Sequence, residues 1–247
     1  MPVLTRGAAS LLLKAHQGPE SAPNGANRTA GARRIEADVG PLDRRVSEGF
    51  LALREPVAKR SEVVWTHRGG VDVYTRQARD AVVRPQVDHV IEIQLVEHAM
   101  MYALAGVSSE SVPVGGSIAQ LHVAQRLRDE INSVGNLNVT SAKVNQAKRG
   151  PVTAAMNRLR ASAERGAPLG EGLRLLTLEQ LARQGRARWL VDEGVWGRIE
   201  REIVRSFDSV RERTESTAVA TPGTESLTRA ALDGLEEILG RLGVFDE

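Results

Sequence analysis

Three short segments most constrain what this chain can fold into: Val87-Asp88-His89-Val90, Asn136-Leu137, and Asn145-Gln146-Ala147-Lys148. The first reads as the end of a β-strand, the second as the opening of another, and the third as part of a helix. Together they demand a strand, a long excursion, a second strand and a helix that follows directly. His89 and Asn136 lie about forty-five residues apart, whereas Asn136 to Asn145 is nine residues and Asn145 to Lys148 is three. The excursion must therefore supply its own core. Ile91, Leu95, Ala99 and Tyr102 recur at helical spacing, as do Ile118, Leu121, Ala124, Leu127 and Ile131. This predicts two amphipathic helices joined by a turn at Gly115-Gly116, the second opened by a capping box of Ser117 with Gln120.

The residue types in the three segments suit phosphodiester cleavage. That reaction needs a base to activate water, a cation to neutralise the phosphorane and the leaving oxygen, and a frame that holds both in register. His89 is a candidate base, because a neutral imidazole titrates near the working pH. Asp88 offers a carboxylate and Asn145 an amide oxygen. Two hard oxygen donors without sulfur favour Mg²⁺ or Mn²⁺ over zinc. The chain has no cysteine, which removes disulfides and thiolate metal sites from consideration.

These segments resemble the HNH (ββα-metal, or His-Me finger) nucleases, in the variant that carries Asp-His, Asn-Leu and a helix Asn followed three residues later by Lys. The resemblance covers roughly residues 84–150. It implies an α+β fold: a ββα-metal core with a helical insertion between the two motif strands and a mostly helical C-terminal region. It also implies that Asp88 and Asn145 bind the metal, that His89 is the general base, and that Asn136 braces the loop aiming His89. Lys148 and Arg149 would face the scissile phosphate. Glu92 stands where the family often has Pro, and is read as orienting His89 or a metal-bound water. The implied activity is a Mg²⁺- or Mn²⁺-dependent endonuclease acting on DNA. An RNA substrate, and a non-catalytic nucleic-acid-binding or assembly module keeping the fold, stay open as alternatives.

Charge points the same way. The formal net charge is +2, yet residues 140–190 hold ten basic side chains against three acidic ones, a local net of +7. Lys143, Arg149 and Arg158 of that stretch, with Arg76, Arg79 and Arg84 upstream, are candidate phosphate contacts that grip a polyanion without reading bases. Aromatic residues make up 3% of the chain, too few for a base-stacking platform, so a duplex or a structured junction is the expected partner. His67, His98 and His122 are read as surface or packing residues.

The expected organisation is a disordered basic arm over 1–34, which could also be an organelle transit segment, then a nuclease domain over 35–170 with its insertion at 91–134, then a helical region over 171–247. The segments 62–67 and 71–75 flank Gly69-Gly70 and predict a β-hairpin. The helix carrying Asn145 is expected to end near Gly150, with Pro151 starting another. Thr177 with Gln180 predicts a capped short helix ending near Gly185, and Trp196, Ile199, Ile203, Phe207 and Val210 form one apolar stripe. A linker over 214–226 precedes a last helix whose Leu227, Ala231, Leu235, Ile238 and Leu242 either dock on the core or form a homodimer. The longest apolar run, around Met100 to Val107, is too short for a membrane span. An intracellular address is expected, with cytoplasm, nucleus and organelle left open.

Overall fold

The computed structural model describes residues 60–106, 116–164, 176–219 and 224–245. The basic arm 1–34 and the turn ahead of Gly116 lie outside the described residues, as do the side chains of Tyr102, Ser117, Ile118, Gln120, Leu121 and Arg160. The described chain mixes helix and sheet and is mostly helical: α1 (Ser61–His67), β1 (Pro85–His89), α2 (Ile93–Gly106), α3 (Gly116–Ile131), β2 (Leu137–Ser141), α4 (Ala142–Glu164), α5 (Leu178–Gln184), α6 (Arg188–Asp192), α7 (Val195–Val219) and α8 (Glu225–Arg241). No described helix is long and apolar enough to cross a membrane.

The strands pair antiparallel in a register that sets Gln86 against Thr140, Val87 against Val139, Asp88 against Asn138 and His89 against Leu137. Side chains alternate across a strand, so the ribbon has two unlike faces. Val87, Leu137 and Val139 pack with Val64, Trp65 and Val82 in a small core beneath it. Gln86, Asp88, Asn138 and Thr140 form a polar face opposite, and all but Gln86 are buried. The two insertion helices form as their spacing predicts. Ile91, Leu95 and Ala99 are buried on the first stretch, and Ala124, Leu127 and Ile131 on the second.

Three expectations are corrected. Residues 61–67 are a helix, not a hairpin strand, and 71–78 is a turn closed by a single bridge from Val71 to Ala78. Val64 and Trp65 are neighbours and both buried, which a strand with one wet face cannot achieve but a helix wedged under the ribbon can. Gly69, at φ +67°, then ends α1: its N–H donates to the Thr66 carbonyl and that of Gly70 to the Trp65 carbonyl, a Schellman closure. Secondly, α4 runs unbroken through Pro151. Pro151 and Val152 are buried, and packing holds the helix together where one backbone hydrogen bond is lost. Thirdly, α7 continues through 214–219, nearly half of the expected linker. The hydroxyls of Thr214, Ser216 and Thr217 each donate to the carbonyl four residues back, which satisfies polar side chains within a helix.

The Thr177–Gln180 capping box is present, and the capped helix ends at Gly185. The stripe on α7 is buried throughout, and so are Leu227, Ala231, Leu235 and Ile238 of α8, which docks along α2, and Leu242 just past its end. One large core thus includes residues from both the insertion and the C-terminal helices.

Candidate functional site

Asp88 sits one residue from the end of β1, on the polar face of the ribbon. Its Oδ2 accepts a 2.7 Å hydrogen bond from Lys148 Nζ and a 2.8 Å one from the Tyr74 hydroxyl. Lys148 reaches it from α4 and is 1% exposed. The same Nζ also donates to the His89 carbonyl oxygen and lies 3.2 Å from Glu92 Oε1. It stands 5.6 Å from the centre of the Tyr74 ring. Three oxygens, from Asp88, Glu92 and the His89 backbone, therefore converge on one buried cation. Hard oxygen donors of this kind also suit Mg²⁺ or Mn²⁺.

Two carboxylates share that one ammonium, and the ionisation of Asp88 reflects it. Burial pushes the Asp88 carboxyl up to about 6; Lys148 opposes the shift and Glu92 adds to it. For Lys148, burial works against the charge, but Asp88 and Glu92 outweigh it and hold the ammonium above its ordinary value. Burial, then the neighbouring Asp88, keeps the Tyr74 phenol protonated well above its usual range.

Asn136 is fully buried at the other end of the excursion. Its Oδ1 accepts from the Ile91 N–H at 2.8 Å, and its Nδ2 donates to the Ile131 carbonyl at 2.9 Å and the Ile91 carbonyl at 3.3 Å. Its own carbonyl accepts from the Val90 N–H at 2.8 Å. The backbone immediately after His89 is thus clamped at Val90 and Ile91. His89 itself is 8% exposed. Strand alternation directs its Cβ away from the Asp88 face, so the two side chains can serve one centre only at the strand end.

The remaining expected residues are placed less centrally. Asn145 lies one helical turn before Lys148, and its Nδ2 donates to Gln86 Oε1 at 3.1 Å. It lines a cleft of about 450 Å³ together with Trp65, Arg79 and Gln86. Asp88 and Asn145 are therefore each engaged by a different partner. Among the described residues no three His, Cys, Asp or Glu side chains are grouped to hold a metal. Lys148 points into the protein, where the buried Asp88 and half-buried Glu92 carboxylates hold its ammonium. Arg76, Arg84 and Arg149 are exposed, the first two at φ +64° and +51°. Arg79 pairs with Glu62. Lys143 lies 4.1 Å over the Trp189 ring, and Arg158 is half-buried.

The cluster contains two members that sequence reasoning missed. Tyr74 supplies the hydroxyl on Asp88. Asp72, fully buried, folds the turn that delivers Tyr74. Its Oδ1 accepts from the Tyr74 N–H at 3.0 Å and from Asn138 Nδ2 at 2.8 Å, and its Oδ2 from the hydroxyls of Thr75 at 2.6 Å and Thr140 at 2.7 Å. An Asp two residues ahead of the residue it caps is a turn signal, masked here by the alternating Val71-Asp72-Val73-Tyr74 pattern. Comparison of the chain with family models, with curated proteins and with solved structures finds no match.

Proposed function

We propose that this chain is a divalent-metal-dependent endonuclease of HNH type that hydrolyses phosphodiester bonds in DNA, with His89 as its general base. The observation that carries the reading is the clamp of Asn136 on Val90 and Ile91, because it fixes the backbone that carries the proposed base. An antiparallel strand pair followed at once by a helix, with Asp88-His89 closing the first strand, gives that clamp its context. Asp88 and Glu92 are the oxygen donors that would hold a Mg²⁺ or Mn²⁺ ion, with Asn145 the third candidate on the adjoining helix turn. A bound ion supplies charge neutralisation at the phosphate and the leaving oxygen. A neutral His89 imidazole nitrogen takes the proton from the attacking water. Exposed Arg76, Arg84 and Arg149 grip backbone phosphates without reading sequence.

The test is nicking of supercoiled plasmid by wild type and His89→Ala in Mg²⁺, Mn²⁺ or EDTA, with structured RNA assayed alongside. Metal-dependent nicking in the wild type, reduced at least about a hundredfold in His89→Ala, is the expected outcome. Nicking that persists in the variant would remove His89 from the chemistry. One observation favours a second reading, a nucleic-acid-binding or assembly module without catalysis: Lys148, the residue expected at the phosphate, is sealed against Asp88. Salt-sensitive DNA binding without cleavage of either substrate in any metal would select it.

A further inference from the structure

We propose that Lys148 is an internal competitor for the divalent cation, its ammonium filling the oxygen-lined position beside Asp88 that a metal must take. The inference rests on the reading of Asp88 as a metal ligand and concerns how that site is controlled. Nζ lies within 3.2 Å of both Asp88 Oδ2 and Glu92 Oε1 and is bonded to the His89 carbonyl oxygen as well. Lys148 and Glu92 also border an otherwise apolar void of about 10 Å³, walled by Val90, Leu95, Trp196 and Ile203. That holds one water molecule at most, whereas Mg²⁺ keeps several waters of its own hydration shell. An ion held by both Asp88 Oδ2 and Glu92 Oε1 therefore has to replace the ammonium that already lies between them.

Replacement is feasible in both charge and geometry. Asp88 and Glu92 together carry one more negative charge than Lys148 neutralises, which favours exchange for a divalent ion. The lysine hangs on a flexible four-carbon stem, and it neighbours Arg149, which is exposed on α4. Metal entry would swing the ammonium from the interior to that surface, next to a candidate phosphate contact. The site is then closed at rest, and divalent binding is coupled to release of a cation toward the nucleic acid.

Two measurements on the full chain test this. The first is Mn²⁺ titration calorimetry on wild type, Lys148→Gln and Lys148→Ala, each with and without Asp88→Asn. Removing the ammonium should tighten Mn²⁺ binding by at least about tenfold, and Asp88→Asn should abolish the gain. The second needs no variant: acetylation of wild-type lysines read by mass spectrometry, in which Lys148 should be protected in EDTA and modified in saturating Mn²⁺. Equal or weaker Mn²⁺ affinity in the folded Lys148 variants, or Lys148 labelling that ignores Mn²⁺, overturns the competition. Asp88-dependent Mn²⁺ binding of the same strength in wild type and variants overturns it while leaving the metal site standing. Absence of Mn²⁺ binding in every protein overturns both the competition and the metal-dependent reading.

Discussion

Asn136 and Lys148 are the polar side chains on which the site is built, and each is buried with its bonding capacity met from distant parts of the chain. Asn136 reaches residues 45 and 5 positions away. Asn136→Ala would strand the Ile91 N–H and two carbonyls, and we expect a loss of about 3 kcal/mol in urea unfolding. Asn136→Asp should be at least as damaging, since it sets a carboxylate against the Ile91 and Ile131 carbonyls; a variant as stable as wild type would refute the clamp. Asp88, His89, Asn136 and Lys148 were all legible as positions, because order and spacing are properties of the sequence. The direction in which Lys148 points was not, since it depends on two carboxylates 60 and 56 residues away that only folding brings to it. Tyr74 and Asp72 were missed for the same reason: Asp72 meets Asn138 and Thr140 across 66 and 68 residues.

At the level of the element, local chemistry was read best where it closes on itself. The Thr177 box and the stripe on α7 follow from spacing of three and four residues, and both form. The α4 helix shows the limit, since Pro151 argues for a break that tertiary packing overrides. Because α4 is continuous, Pro151→Ala restores a donor to the Ala147 carbonyl and should raise stability by about 1 kcal/mol or more, after some loss of buried ring. A neutral or destabilising result would point to a real interruption at that position. On α7, Glu200 accepts a 2.8 Å hydrogen bond from Trp196 Nε1. Burial, partly opposed by that bond, lifts its carboxyl from 4.5 to about 7. A raised acid favours folding when protonated, so its contribution is complete below about pH 4.5 and disappears as pH rises through about 7. Wild type should therefore lose stability relative to Glu200→Gln as pH rises from 5 to 8; parallel curves for the two proteins would contradict the shift.

For the whole molecule, the C-terminal helices share the core with the site and touch it where Arg198 on α7 donates to the Tyr74 carbonyl. Leu235, on α8, is buried in the same cluster as Val90, Ile91 and Leu95. Leu235→Ala should cost about 2–5 kcal/mol and speed hydrogen exchange at the β1 and β2 amides by the corresponding factor. Sheet protection that is unaffected would show the two regions to be energetically separate. The α8 face expected either to dock or to dimerise is buried against the chain's own α2, an outcome its periodicity left open. What the sequence determined by itself were quantities that repeat or close within a few residues: helix faces, a capping box, the strand ends at Asp88-His89 and Asn136-Leu137, and the order strand, excursion, strand, helix. The tertiary structure alone decided that 61–67 coils into a helix beneath the ribbon, that α4 passes through its proline, and that Lys148 turns inward. The physical reason is common to all three: a pattern specifies which side of an element is apolar, while the partner that covers it, and the charge a buried lysine finds there, are set by residues dozens of positions away.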